Sequence, residues 1–69
     1  MADTKQKGGL NPKQEAILRK LKSGGGKELI ELGSRADVLF LERGDFIDSS
    51  DGKYFINVKG RRYIENRDS

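Results

Sequence analysis

The sequence predicts a small α+β domain of three helices followed by a β-hairpin. Three observations point there. Apolar residues recur at helical spacing in three segments before residue 44, each closed by glycine. After Gly44 the pattern changes to short aromatic and β-branched runs on either side of Asp51-Gly52, a dipeptide that favours tight hairpin turns. A chain of 69 residues that is 33% hydrophobic can fill one small core and no more.

The elements follow in order. Residues 1–9 are polar, carry Lys5 and Lys7 and lack periodicity, so a disordered basic arm is expected. Order begins at Leu10-Asn11-Pro12: Asn is a strong N-cap, and Pro suits the first helical position because the N–H it lacks has no partner there. Leu10 can staple the first turn. Ile17, Leu18 and Leu21 then form one apolar stripe, Glu15 and Arg19 form an i,i+4 pair, and Ser23-Gly24-Gly25-Gly26 ends the helix. Residues 27–32 read as a short second helix with Leu29, Ile30 and Leu32 inward. Gly33 suits a left-handed C-terminal position, and Ser34 caps a third helix over 35–43. Its inward face is expected to be Ala36, Leu39 and Phe40, with Gly44 as the stop.

The apolar run Val38-Leu39-Phe40-Leu41 also suits a buried strand. The alternative fold is therefore a β-meander, with strands at 38–42, 46–48, 54–58 and 61–65 behind one or two helices. In the preferred reading Phe46-Ile47-Asp48 is extended, 49–52 turns, and 54–58 is a strand with Tyr54, Ile56 and Val58 on one face. Lys59-Gly60 is a turn or the start of a helix, 61–66 is a short element of open type, and 67–69 should fray. The expected core is Leu10, Ile17, Leu18, Leu21, Leu29, Ile30, Leu32, Ala36, Leu39, Phe40, Phe46, Ile47, Tyr54, Ile56, Val58 and Ile64.

Composition excludes several kinds of chemistry. There is no cysteine and no histidine, so disulfides, thiolate or imidazole metal sites and His-dependent triads are impossible. Asp45, Asp48 and Asp51 lack the ligand alternation of a calcium loop. Gly24-Gly25-Gly26-Lys27 lacks the spacing of a phosphate loop, and a plain helix-helix turn is expected there. No enzyme, metal or cofactor is expected. With no long apolar run and a polar start, the expected setting is cytoplasmic.

The net charge of +3 is unevenly spread. Residues 1–27 hold seven basic and two acidic side chains, 28–52 two basic and seven acidic, and 53–69 five basic and two acidic. A polyanion should prefer the two ends of the chain.

The order of elements is that of a winged helix-turn-helix: two helices joined by a tight glycine turn, then a hairpin as the wing. Leu41-Glu42-Arg43-Gly44-Asp45-Phe46-Ile47 resembles the end of the recognition helix and the first wing strand in winged-helix regulators, where a Leu-Glu-x-x-Gly-Leu-Ile type of run occurs. The run Val58-Lys59-Gly60-Arg61-Arg62-Tyr63-Ile64-Glu65 is similar to the segment after the wing in the MarR and PadR groups, and Asp51-Gly52-Lys53 falls where the wing tip should be. The resemblance spans residues 12–65. In size and type the chain also resembles small phage or mobile-element regulators. It departs from the pattern in a shorter 27–44 stretch, an extra Asp45, and a third helix without Asn, Gln or Lys.

The resemblance implies duplex DNA binding. Arg35, beside Ser34 at the start of the third helix, would reach a base edge. Lys53 at the wing tip, with Lys59, Arg61 and Arg62 behind it, would hold phosphates or a minor groove. Lys13 and Lys27 would add affinity, as would Lys5 and Lys7. The competing expectation is a protein-docking module that presents Glu28, Glu31, Asp37, Glu42 and Asp45 to a basic partner. Without a long helix for dimerisation, a monomer or weak dimer is expected.

Overall fold

A computed structural model describes residues 9–69. The arm expected at 1–9 lies, apart from Gly9, outside the described residues. The elements are α1 (Pro12–Gly24), β1 (Lys27–Glu28), α2 (Leu29–Leu32), α3 (Arg35–Arg43), β2 (Ile47–Ser50), β3 (Lys53–Ile56) and α4 (Val58–Asp68). The strands form one antiparallel sheet in the order β1-β3-β2. The expected α+β class is present, with one helix and one strand more than the sequence suggested. The meander is overturned, because 38–42 and 61–65 are both helical.

α1 starts as its sequence dictates. The Asn11 side chain accepts from the Gln14 N–H at 2.8 Å, and the Asn11 N–H donates to Gln14 Oε1 at 3.1 Å. The glycines after α1 lead into a strand rather than a second helix. Lys27 pairs with Tyr54 and Glu28 with Lys53. Two residues are too few to show alternation, and only the pairing with β3 defines them as a strand. Glu28 stays extended and caps α2, so α2 holds just Leu29–Leu32. Leu32 is buried, but Ile30, expected inward, is 84% exposed.

α3 is rotated from its expected orientation. Val38 and Leu41 are fully buried, whereas Phe40 is 50% exposed and Ala36 is also exposed. The helix offers two apolar faces about half a turn apart, Ala36, Leu39 and Phe40 on one and Val38 and Leu41 on the other, and packing of α3 on α1 and β2 selects Val38 and Leu41. The helix ends in a six-residue closure: the Phe46 N–H donates to Leu41 O at 2.9 Å and the Asp45 N–H to Glu42 O at 3.1 Å. The left-handed residue is Asp45, at φ 67, not Gly44. This accounts for the extra residue noted in the sequence.

The β2–β3 hairpin turns at Asp51-Gly52, both with positive φ, as a two-residue turn of this type requires. β3 stops at Ile56. Asn57 then caps α4 by accepting from the Gly60 N–H at 2.9 Å. Val58, expected in a strand and in the core, opens α4 and is 66% exposed. Asp68 ends a helix held by ion pairs instead of fraying.

The core joins Ile17, Leu18 and Leu21 of α1 to Leu32, Val38, Leu41, Ile47 and Ile64. Phe46 and Tyr63 close one side, edge to face at 5.6 Å. No described helix is long and apolar enough to cross a membrane.

Candidate nucleic-acid interface

Most basic side chains of the described residues fall into two sets, those engaged inside the fold and those exposed without an ion pair to another described residue. The first set joins the two ends of the chain. Arg19 of α1 donates to the Asp68 carboxylate of α4 at 2.6–3.2 Å through Nε and one terminal nitrogen. That hydrogen bond holds the Asp68 carboxyl below its usual range and raises the guanidinium pKa of Arg19. The buried Glu15 carboxylate accepts from Arg67 Nε at 3.0 Å and from the Tyr63 hydroxyl at 3.1 Å. Lys22 lies 4.0 Å from Glu65. These pairs fasten α4 to α1. Three of the basic side chains toward the chain ends, Arg19, Lys22 and Arg67, are thus paired with carboxylates.

Two residues from the expected binding set also work inside the fold. Lys59 donates to the Gly44 carbonyl at 2.8 Å, and its Nζ lies 4.7 Å from the centre of the Phe46 ring. It therefore ties the start of α4 to the end of α3. Lys27 lies on the sheet beside Tyr54, with Nζ 4.0 Å from Glu31.

The second set is Lys13, Arg35, Arg43, Lys53, Arg61 and Arg62. All six are exposed, and none forms an ion pair with another described residue. Arg35 occupies the first position of α3, directly after the Ser34 cap, whose hydroxyl accepts from the Asp37 N–H at 3.3 Å. Arg43 ends the same helix, and Lys53 follows the hairpin turn. Lys13 borders an apolar groove of about 280 Å³ that reaches Ser34. Arg61 and Arg62 lie on α4 rather than in a strand behind the wing. Arg62 borders a shallow cleft that also includes Asp45 and Asp48. Arg43 was absent from the expected binding set; it shares a side of α3 with Ala36, which was expected inward but is exposed.

Three carboxylates of the acidic middle, those of Asp37, Glu42 and Glu31, accept hydrogen bonds within the fold, whereas Glu28, Asp45, Asp48 and Asp51 are exposed and form no ion pair with another described residue. Asp37 accepts from Gln14 Nε2 at 3.2 Å, and Glu42 accepts from the Ser49 hydroxyl at 3.1 Å. Glu31 accepts from the Glu28 N–H at 3.1 Å, and the Asp45 carbonyl accepts from Asn57 Nδ2 at 2.7 Å. These groups serve caps and element junctions.

Comparison with family models, curated proteins and solved structures finds no match to this chain.

Proposed function

We propose that this chain is a winged-helix domain that binds duplex DNA and serves as a small transcriptional, phage or mobile-element regulator. α2, the Gly33-Ser34 turn and α3 serve as the helix-turn-helix, and the β2–β3 hairpin serves as the wing. The pairing of β1 with β3 supports this reading, because it anchors the hairpin to the segment between α1 and α2. The observation that carries the proposal is that Arg35, Arg43 and Lys53 are exposed, form no ion pair among the described residues, and lie on the helix and hairpin that such a domain applies to DNA. A cation already paired with a carboxylate has little to offer a phosphate, whereas a free one displaces counterions. The acidic docking surface is less favoured, since three of its five carboxylates, those of Asp37, Glu42 and Glu31, accept hydrogen bonds within the fold.

Fluorescence anisotropy with a short labelled duplex tests the proposal. Five or six phosphate contacts give a log–log salt slope of about −5 between roughly 50 and 200 mM salt. Lys53→Ala will weaken binding to all sequences alike and reduce the slope by about 1, whereas Arg35→Ala will cost about 1–3 kcal/mol at preferred sites and relax sequence preference. Absence of duplex binding at low salt would refute the proposal.

A further inference from the structure

We infer that the outer face of α3 selects duplex sites in which thymine methyl groups lie beside guanine, an inference that rests on the DNA-binding proposal above. The exposed residues of α3 are Arg35, Ala36, Phe40 and Arg43. Ala36, Phe40 and Arg43 stand at i, i+4 and i+7, so they form one row along the helix. Phe40 is 50% exposed even though Val38 and Leu41 on the opposite side are fully buried. The core therefore does not need the Phe40 ring.

The four bases present different chemistry in the major groove, and this row matches only two of them. Arginine donates to guanine O6 and N7, and alanine or phenylalanine packs against the thymine 5-methyl group. Adenine is read by the side-chain amide of Asn or Gln, and α3 has neither. Cytosine N4 needs a carboxylate, but Asp37 and Glu42 are half-buried and already bonded to Gln14 and Ser49. The arginines also identify the occupant. Two copies of this face meeting each other would set arginines against arginines, with no free described carboxylate in the row to offset them. The groove of a polyanion fits both the apolar row and its charges.

The test begins with selection of bound duplexes from a randomised pool. An enriched duplex is then made again with deoxyuridine in place of thymidine, which removes the methyl group and keeps the base pairing. Binding should weaken about fourfold for each contacted methyl. Phe40→Ala, which leaves only alanines as the apolar side chains of the row, should discriminate clearly less between the thymine and uracil duplexes than the parent, with a melting curve close to the parent's. Val58→Ala, which trims an exposed apolar side chain outside α3, should retain the discrimination. Equal affinity of the parent for both duplexes, with steep salt dependence intact, would overturn this inference and leave the DNA-binding proposal standing. Discrimination undiminished by Phe40→Ala would overturn the role of that ring. Failure of the random pool to bind at low salt would overturn both proposals.

Discussion

Leu41→Ala will cost about 2–5 kcal/mol of folding free energy, while Phe40→Ala, one residue away, will cost only about 1 kcal/mol. Leu41 has no exposed surface and packs between α1 and the sheet, so its truncation leaves a cavity that its neighbours can only partly fill. Phe40 keeps half its surface in water and loses correspondingly little. A domain of this length has a total stability of roughly 3–10 kcal/mol, so the Leu41 variant should be partly unfolded at room temperature. Urea melts of the two variants beside the parent measure both effects. A larger loss for Phe40→Ala would mean that α3 packs by the Ala36–Leu39–Phe40 face instead.

Gly60→Ala will destabilise the fold by about 3 kcal/mol, although alanine is the better helix former by about 1 kcal/mol. Gly60 is buried in the first turn of α4, where α4 crosses the chain at Phe46. A Cβ there would overlap the Phe46 carbonyl oxygen and lie 3.0 Å from Ile56 Cγ1. The carbonyl cannot move aside freely, because it accepts from the Asn57 N–H at 3.1 Å. The clash should push α4 away from the sheet and disturb the contact of Lys59 with Gly44. A thermal melt of Gly60→Ala that matches or exceeds the parent's would show that α4 does not approach Phe46 this closely. As a control, the same change at Gly26 would meet the Phe55 ring, a side chain that can swing away.

The parts of this fold legible in the sequence are those specified by neighbouring residues. The Asn11-Pro12 start, the Ser34 cap and the Asp51-Gly52 turn each depend on chemistry within a few positions, and each appears where expected. What the sequence did not reveal depends on partners far along the chain. β1 exists only because Lys27 and Glu28 meet Tyr54 and Lys53. α4 has a weakly apolar sequence and is held to α1 through Glu15, Tyr63 and Arg67, pairings separated by about fifty positions. The rotation of α3 was ambiguous because Val38-Leu39-Phe40-Leu41 offers an apolar residue to every side of a helix. The candidate interface was legible in part. Arg35 and Lys53 form no ion pair with another described residue, whereas Lys59 and Lys27 are engaged within the fold, which residue type alone could not show.

Amide chemical-shift mapping of the labelled protein, titrated with a short duplex at low salt, decides where the nucleic acid lies. The account predicts that the largest shifts fall on residues 34–43 and 50–53, with little change along the Glu15–Arg19–Asp68 seam between α1 and α4. Shifts concentrated on that seam, or none at saturating duplex, would contradict it.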